Sequence, residues 1–343
     1  MRAVLTGGTG FIGGKLAAKL VAEGCEVRCL VRKTSKTEGL SKLGVELCYG
    51  DLSEPGSFEE FTKGEDVVYH LAAMVSDWGA KEEFYRVNVE GTRSLLKASR
   101  DAGVRRFVYL STSTVLWKSD FWSVHNIIDI DESYPYPGSY NDYYNESKAL
   151  AEKVVTGFFK DNDLETVVIR PSGVWGAGDT VILPRLVKIA KKGMLLSVGS
   201  GDGLVSPCHV ENLVQALILA AEARNAAGNI YFINDGIKIK HLEFISLLLK
   251  SVGIDWTPKM AVPYKLAFGL ASLFELISRM TNSKKPPVLT RFAVAAIAGS
   301  RTYSIKKAKI EIGYQPTMDL EEGLRQLEDW VKSIGGMEGL LRL

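Results

Sequence analysis

The sequence predicts an α/β fold in which a doubly wound parallel sheet, with helices on both faces, is followed by a smaller, mostly helical lobe. Short apolar runs alternate with helical patterns through the first two-thirds of the 343 residues. Several of these runs are apolar on both faces, which is typical of strands in a buried parallel sheet. After Arg170 the pattern changes, and from His241 onward it is mainly helical, with turns marked by proline and glycine.

Strands are predicted from the apolar runs, and helices from the stripes of apolar residues between them. One helix carries its stripe over residues 16–21 and ends near Gly24, and another carries it over 95–99 and ends near Gly103. Glycine is a common C-cap of such helices. The predicted strands are 3–5, 27–31, 45–48, 67–71, 107–110, 167–169 and 230–233.

The change of pattern divides the chain into two predicted parts. Residues 1–175, joined by the returning segment 205–235, form the sheet domain. Residues 176–204 and 236–343 form the second lobe. Because its composition and turn chemistry differ from those of the sheet domain, we expect this lobe to fold onto the sheet rather than to extend it.

Composition and charge exclude several classes of protein. Lys and Arg total 42 against 40 Asp and Glu, and this net charge of +2 does not favour nucleic-acid binding. The four cysteines form no CxxC pair and the four histidines are scattered, so we expect no metal site. We expect a cytoplasmic protein, because no signal peptide and no run of 18 uncharged apolar residues is visible.

A glycine-rich turn, TGGTGFIG at 6–13, lies between the first predicted strand and the first predicted helix. In such a turn one glycine permits the tight bend, one lets the backbone approach a pyrophosphate, and one lets helix and strand pack closely. The free N–H groups at the helix N-terminus then attract phosphates. This context predicts a dinucleotide site. Its expected contacts are Gly7, Gly10, Phe11, Ile12 and Gly13, and Gly8 also satisfies the GxGxxG spacing.

The residues after the second and third strands bear on which dinucleotide is bound. An acidic residue after the second strand binds the ribose of NAD, whereas Arg accommodates the 2′-phosphate of NADP. Arg32 and Lys33 stand there, so we predict NADP, with NAD as the alternative if these cations are merely solvated. Asp51 and Leu52 lie where an adenine edge could be held, although Asp51 could equally be a helix N-cap.

Tyr144 and Lys148 are four residues apart and therefore share one helix face. A neighbouring cation favours the phenolate, so we predict that Lys148 lowers the pKa of Tyr144 and makes it an acid/base group. The alternative is an ordinary surface pair. The fifth strand runs into four hydroxyl residues, 111–114, at the strand end where open α/β sheets bind ligands. The residues alone do not choose among these hydroxyls.

Taken in order, these motifs resemble those of the extended short-chain dehydrogenases/reductases, and the resemblance covers the whole chain. Within that superfamily the chain most resembles the 3β-hydroxysteroid dehydrogenase-like branch, through LTRF at 289–292 and RTYSIKKAKIEIGYQP at 301–316. That branch includes sterol-4α-carboxylate 3-dehydrogenases and bacterial reductases of long-chain β-keto compounds. The general motifs are the glycine turn, GDL at 50–52, HLAA at 70–73, NVEGT at 88–92, the hydroxyls, YNESK at 144–148 and RPSGVWGAGD at 170–179.

The resemblance implies a Rossmann-type enzyme that interconverts a secondary alcohol and a ketone on a hydrophobic, lipid-like substrate, which the second lobe binds. Tyr144 would be the general acid/base, and Lys148 its pKa partner and a ribose ligand. Thr112 would be the third member by its position three before Val115, with Ser111 and Ser113 as alternatives. Further implied roles are a supporting role for Asn88, cofactor contacts by Leu71, Ala72 and Ala73, and a place near the nicotinamide for Pro171.

Two other functions stay open on the sequence. Sugar-nucleotide epimerases and dehydratases belong to the same superfamily, but dehydratases resemble Thr-Asp-Glu where this chain has Thr112 followed by Ser113 and Thr114. A non-catalytic NADP-binding sensor is the second alternative, although such regulators usually lose the Tyr or the Lys. By analogy with the family we expect a homodimer formed through helices at 82–102 and 144–160.

The stretch 261–280 is the most apolar in the chain, and it allows two interpretations. It could be a core-facing amphipathic helix, or a lid over a lipid-like substrate that touches the membrane surface. Three tryptophans on loops after the fourth and fifth strands could line a pocket or act as packing anchors. The apolar residues of the stretch at helical spacing are Leu266, Leu270, Leu273, Phe274 and Ile277, and the tryptophans are Trp78, Trp117 and Trp122.

Overall fold

The computed structural model describes residues 1–343 except 77, 119, 162, 163, 259, 260, 282 and 284. Short helical turns supplement the regular elements: 3₁₀ turns at Pro55–Ser57, Ser113–Leu116 and Arg224–Ala226, and a π-helical turn at Tyr85–Glu90. The strands are β1 (Arg2–Thr6), β2 (Glu26–Val31), β3 (Glu46–Tyr49), β4 (Val67–His70), β5 (Arg106–Leu110), β6 (Ile127–Ile130), β7 (Glu165–Pro171), β8 (Val174–Trp175), β9 (Ser197–Val198), β10 (Leu204–Val205), β11 (Cys208–His209), β12 (Ile230–Ile233), β13 (Ile239–Lys240), β14 (Ala261–Val262) and β15 (Arg301–Tyr303). The helices are α1 (Phe11–Ala22), α2 (Glu38–Lys42), α3 (Phe58–Thr62), α4 (Lys81–Phe84), α5 (Gly91–Asp101), α6 (Tyr143–Asp161), α7 (Ile182–Lys191), α8 (Val210–Glu222), α9 (His241–Ser251), α10 (Tyr264–Met280), α11 (Arg291–Ala298), α12 (Lys306–Glu311), α13 (Leu320–Ser333) and α14 (Gly336–Arg342).

A seven-stranded sheet, ordered β3-β2-β1-β4-β5-β7-β12, forms the centre of the molecule. Each neighbouring pair in it is parallel. These are the seven strands that the apolar runs predict, so the predicted fold class is confirmed. The strand order reverses its direction between β1 and β4, and in such sheets ligands bind in the crevice at this reversal, beyond the carboxyl ends of the strands.

Helices cover both faces of the sheet because successive strand residues point to opposite sides. In β1, Leu5 joins a core packed by α1 and α8, whereas its neighbour Val4 joins the core beneath α3, α5 and α6. Phe107 and Val108 divide in the same way in β5. Both faces of the sheet are therefore buried away from water. This explains why apolar and polar residues do not alternate in the strand sequences.

The C-terminal part contains most of the remaining helices. A core around Trp175 is filled by α7, α9, α13 and α14, and a smaller one is formed by α10, α11 and β9. A second sheet has four strands in the order β13-β10-β15-β6. The exact division at 1–175, 205–235, 176–204 and 236–343 stays a prediction.

Helix α10 corrects the core-facing interpretation of residues 261–280. Its buried face is made of Ala267, Phe268, Ala271 and Glu275, and the large aliphatic side chains point outward. The two alanines let α10 pack closely on α11, so the leucine stripe is left on the surface. Among the described residues, no helix is long and apolar enough to cross a bilayer. The exposed members of the stripe include all five residues at helical spacing: Leu266, Leu270, Leu273, Phe274 and Ile277.

Candidate active site

The glycine turn has the geometry that its spacing predicts. Gly7 has a φ of +82°, and a Cβ there would lie 2.9 Å from the backbone nitrogen of Ala72. A Cβ at Gly13 would lie 2.1 Å from the carbonyl oxygen of Gly7. The turn is closed by a hydrogen bond of 3.0 Å from the amide of Gly10 to the Gly7 carbonyl. Gly7 and Gly13 are thus required by the backbone itself.

The N-terminus of α1 is open to an anion. Gly10 is its N-cap residue, no side chain caps the helix, and no acidic residue stands in its first turn. The amides and the helix dipole are therefore available for phosphate groups. Ile12 packs against the core below, and the ring of Phe11 lies against Gly178 of the loop after β8. These residues fit the pyrophosphate of a dinucleotide.

The segment after β4 lies directly against the glycine turn. The amide of Leu71 donates to the Thr6 carbonyl at 3.3 Å, and the amide of Ala72 donates to the Thr6 hydroxyl at 3.1 Å. Leu71, Ala72 and Ala73 are half-buried at the edge of the crevice between β1 and β4. The structure therefore brings these three predicted residues to the predicted dinucleotide site.

A buried chain of hydrogen bonds connects this crevice to α6. His70 bonds the Thr6 hydroxyl through Nδ1 at 2.7 Å and the Thr92 hydroxyl through Nε2 at 2.9 Å. Thr92 donates to the carbonyl of Asn88 at 2.6 Å, and Asn88 Nδ2 donates to the Ser147 hydroxyl at 2.9 Å. Burial lowers the pKa of His70 to about 3, so the ring is neutral. Of this network, only Asn88 was assigned a role from the sequence. Thr6 and His70 could have been suspected because they are polar residues at the ends of apolar strands.

Lys148 is buried on α6 and tied to the end of β5. Its Nζ donates to the Leu110 carbonyl at 2.6 Å and lies 4.2 Å from the centroid of the Tyr109 ring. Burial lowers the pKa of Lys148 to about 7, although the Glu152 carboxylate opposes this shift. The ammonium is therefore expected to lose its proton near neutral pH.

Tyr144 differs from the sequence prediction in the sign of its pKa shift. Burial raises the pKa of the phenol above its ordinary value, and the charge of Asp142 raises it further. The predicted lowering of this pKa is wrong for this structure: the net shift is upward, because burial penalises the phenolate and the Lys148 ammonium donates to the Leu110 carbonyl. Tyr144 thus holds its proton at neutral pH.

The structure distinguishes the hydroxyls of the segment 111–114. Ser111 is buried and donates to Glu152, and Ser113 is buried beside Tyr303. Thr112 is half-buried, accepts from the amide of Thr114 at 3.2 Å and lies 3.0 Å from the Thr114 hydroxyl. Thr114 in turn donates to Asn145 Oδ1 at 2.5 Å, which joins the segment to α6 beside Tyr144. Thr112 and Thr114 are therefore the more accessible hydroxyls.

A buried ion pair supports this corner of the site from below, and the sequence reasoning missed it. Glu152 accepts from Arg170 Nε at 2.9 Å and from the Tyr136 hydroxyl at 2.5 Å, in addition to Ser111. Glu152 and Arg170 are almost fully buried. The signal was present, since Glu152 follows Lys148 by one helical turn and Arg170 is the last residue but one of β7.

The other predicted cofactor residues are dispersed around the crevice. Arg32 and Lys33 are exposed at the end of β2. The carboxylate of Asp51 accepts from the amide of Ser53 at 2.8 Å, and this bond, with a smaller contribution from Arg32, lowers its pKa. Asp51 is therefore a turn residue, and the helix N-cap alternative is wrong. The side chain of Leu52 belongs to the core.

Pro171 and the three loop tryptophans also have clear positions. Pro171 is buried at the end of β7, where it pairs with Ile233 of β12. The indoles of Trp78 and Trp117 donate to Ser283 and Tyr303 respectively, at 2.8 and 2.6 Å. These two tryptophans anchor the C-terminal part, and Trp122 is 75% exposed.

The parallel sheet, the glycine turn and the Tyr144–Lys148 helix define an extended short-chain dehydrogenase/reductase. Comparisons with solved structures agree on the fold. The crystal structure of gox2253 matches with a TM-score of 0.78 and 26% identity, covering 97% of this chain and 98% of that one. A dTDP-glucose 4,6-dehydratase from Streptomyces venezuelae matches with a TM-score of 0.76 at 24% identity, over 97% of each chain, which shows the fold alone.

The sequence comparisons identify the family. A model of the 3-beta hydroxysteroid dehydrogenase/isomerase family matches residues 4–264, and the chain belongs to this family. A 4-hydroxy-2-methyl-3-oxo-4-farnesyl-3,4-dihydroquinoline-1-oxide ketoreductase of Stigmatella aurantiaca is 35% identical, over 95% of this chain and 96% of its own length. A 2-alkyl-3-oxoalkanoate reductase of Stenotrophomonas maltophilia is 33% identical, over 96% and 98%. A 3-beta-hydroxysteroid dehydrogenase of Mycolicibacterium neoaurum is 31% identical, over 95% and 90%. The protein is therefore an enzyme of the dehydrogenase/reductase type, and the predicted family is confirmed.

Proposed function

We propose that this enzyme interconverts a secondary alcohol and a ketone on a hydrophobic 3-hydroxy/3-oxo substrate, with NADP as the preferred cofactor. The observation that carries the proposal is the junction of the Tyr144 helix with the hydroxyl segment, through the bonds of Lys148 to Leu110 and of Thr114 to Asn145. This junction lies at the same sheet edge as the glycine turn. The names of the three relatives, which are reductases or dehydrogenases of farnesyl, alkyl and steroid compounds, support the substrate class.

In the proposed reduction, Tyr144 acts as the general acid. Its raised pKa keeps the phenol protonated, so it donates its proton to the oxygen that was the carbonyl. Thr112 donates a hydrogen bond to the same oxygen and fixes its position. The ammonium of Lys148 stabilises the phenolate left on Tyr144. When bound, a nicotinamide would supply the hydride for the carbonyl carbon.

Holding the cofactor falls to the residues around the crevice. The amides at the start of α1 would bind the pyrophosphate, and Gly7, Gly10 and Gly13 would let it approach. Arg32, with Lys33 beside it, would pair with the 2′-phosphate. The segment 71–73 forms the wall opposite the glycine turn. The chemistry of these groups suits NADP better than NAD, since the described end of β2 offers cations and no carboxylate.

The sugar-nucleotide alternative has less support from the site. A dehydratase of this superfamily, which eliminates water, resembles Thr-Asp-Glu in this segment and so carries an acid pair after the threonine. Ser113 and Thr114 occupy those positions, with hydroxyls already engaged by Tyr303, Thr112 and Asn145. The site therefore favours simple alcohol–ketone interconversion.

The test of the proposed mechanism is Tyr144→Phe. We expect turnover to fall by about 10²–10⁴-fold because the proton donor is lost. NADPH affinity, measured by fluorescence titration, should remain within about twofold. Tyr143→Phe is the matched control, since this neighbouring phenol lies toward Arg279 and should leave turnover intact. Normal turnover in Tyr144→Phe would remove Tyr144 from the mechanism.

We also propose that the enzyme is a homodimer formed through 82–102 and 144–160. In the described structure these ranges hold α5 and α6, which pack side by side on one face of the sheet. Sedimentation velocity measures the association. A monomer at micromolar concentration would contradict the proposal.

A further inference from the structure

The outer face of α10 is a continuous apolar surface. Its exposed side chains range from 39% exposure at Phe274 to 76% at Met280. An apolar row of this length along one exposed helix is unusual for a surface that faces only water. The members of this α10 face are Leu266, Leu270, Leu273, Phe274, Leu276, Ile277 and Met280.

Two aromatic residues from the loop after β5 extend the α10 face. The ring of Phe121 packs against Phe268, with 6.5 Å between centroids. It also lies over Gly269, where a Cβ would be 3.6 Å from the ring. Trp122 stands beside Phe121 and is 75% exposed, with Lys265 Nζ 5.5 Å from its ring centroid. Exposed indole rings beside aliphatic rows are typical of the boundary between water and lipid.

The charges on α10 have one sign where they are exposed. Lys265 near the start of the helix and Arg279 near its end are exposed cations. The one acid of α10, Glu275, is 7% exposed and is held by the backbone amide and guanidinium of Arg291 at 2.7 and 2.8 Å. In the neighbouring loop, the carboxylate of Asp120 accepts from backbone amides and from His125. The exposed surface of α10 itself therefore presents apolar side chains with a cation near each end, and the neighbouring loop adds one carboxylate, that of Asp120.

We propose that the α10 face, with Phe121 and Trp122, docks the enzyme on a bilayer surface that contains anionic phospholipid. A helix with an aliphatic face and cationic borders lies in the plane of such a surface. A second copy of this chain fits less well. Pairing two α10 faces would bring together the cations at 265 and 279 of both copies, and α10 has no exposed acid to neutralise them. Anionic headgroups complement those cations.

The position of α10 connects this surface to the active site. Arg279 lies 5.5 Å from the ring centroid of Tyr143, the neighbour of Tyr144, and 5.8 Å from that of Trp78. The C-terminal end of α10 thus borders the loop that follows β4. In this respect the inference rests on the proposed function, since a lipid-like substrate would reach Tyr144 from the membrane along this end of the helix.

Vesicle co-sedimentation of the full chain tests the docking. The vesicles are phosphatidylcholine alone or phosphatidylcholine with phosphatidylglycerol. We expect the wild type to sediment with the anionic vesicles, and the double variant Leu270→Ser/Leu273→Ser to bind them at least about tenfold more weakly. Lys265→Glu should lose binding to the anionic vesicles. Ile310→Ser, which changes a 72% exposed residue on α12, is the matched control and should bind like the wild type.

Three results would overturn the docking proposal. One is a wild type that stays in the supernatant with both kinds of vesicle. Another is a double variant that binds as well as the wild type. The third is a wild-type dimer, measured by sedimentation velocity without vesicles, that the double variant converts to a monomer, since this assigns the α10 face to a second copy.

A parallel assay separates this proposal from the proposed function. Each variant is assayed with a short, water-soluble β-keto ester, which needs no membrane. Unchanged turnover in Leu270→Ser/Leu273→Ser together with lost vesicle binding supports the docking. Absence of turnover in the wild type with every ketone would contradict the proposed function and leave the vesicle result to decide the docking alone.

Discussion

Arg32 is the side chain on which the proposed choice of NADP depends. It is exposed after β2, close enough to Asp51 to lower the pKa of that carboxyl, and therefore near the crevice. We expect Arg32→Asp to weaken NADPH binding by about tenfold or more while NADH binding holds or improves, because the new carboxylate repels the 2′-phosphate. Fluorescence titration with both nucleotides measures this, with Lys250→Asp, at an exposed position of α9 outside the proposed dimer contact, as the charge-matched control. An equal loss for both nucleotides would contradict the assignment.

Lys148 should set the pH dependence of the reduction. With a pKa of about 7, its ammonium is charged below that pH and neutral above it, so the stabilisation of the Tyr144 phenolate declines as pH rises through about 7. The raised pKa of Tyr144 keeps it protonated through the same range. We expect kcat/KM for ketone reduction to fall on the alkaline side of neutrality. In Lys148→Met the rate should be low and should lack this decline.

The Glu152 carboxylate raises the pKa of Lys148. It therefore sets the pH at which kcat/KM falls, here called the alkaline limb of the pH profile. Glu152→Gln should move the limb to lower pH, and it should also cost about 3–5 kcal/mol of stability, because it leaves Arg170 buried without its partner. Ser111→Ala is the matched control, since it removes one hydrogen bond to Glu152 and leaves the charge. If the alkaline limb shifts equally in both variants, its position depends on packing around Glu152 and not on the charge of Glu152.

At the residue scale, sequence reasoning located the groups whose chemistry is carried by type and spacing. Tyr144, Lys148 and the glycines are of this kind. It could not choose among the hydroxyls of 111–114, because that choice depends on which of them Glu152 and Tyr303 already engage. The sign of the pKa shift of Tyr144 was also out of reach, because burial outweighs a neighbouring cation only once the packing is known.

Two glycines of α1 allow a test of the close packing between this helix and the glycine turn. Gly13→Ala places a Cβ 2.1 Å from the Gly7 carbonyl, whereas Gly14→Ala places one 3.5 Å from the Gly8 carbonyl, an ordinary contact. We expect Gly13→Ala to lower the melting temperature and to abolish NADPH binding. Gly14→Ala should keep binding and stabilise α1 by about 0.5–1 kcal/mol. Thermal melts with and without NADPH measure both, and intact binding in Gly13→Ala would contradict the close-packed turn.

At the element scale, the central strands were predictable and the orientation of α10 was not. Runs such as β4 and β5 are apolar on both faces, and only a doubly covered sheet accommodates them. For α10, periodicity grouped the leucines on one face but allowed that face to be either core-facing or part of a lid. The structure instead buries the small residues Ala267 and Ala271 and pairs Glu275 with Arg291, an arrangement set by α11, which lies more than ten residues further along the chain.

At the scale of the whole molecule, topology assembles the site from distant segments. The order of the sheet brings the ends of β1, β4, β5 and β7 to one edge, so the glycine turn, the segment 71–73 and the hydroxyls converge there. The C-terminal part is fastened to the loops above this edge by the indoles of Trp78 and Trp117. Strand order follows from connection rules. The hydrogen bonds of these two indoles depend on loop conformations that one sequence does not specify.

The measurement that tests the central claim most directly is an absorbance assay of the nicotinamide. NADP or NAD is supplied with a panel of 3β-hydroxysteroids and long-chain β-hydroxy acids, and NADPH or NADH with the corresponding keto compounds. The account predicts turnover with at least one lipid-like alcohol or ketone, faster with the phosphorylated cofactor, and lost in Tyr144→Phe. NADPH binding without turnover across the panel, together with turnover of a sugar nucleotide, would contradict it.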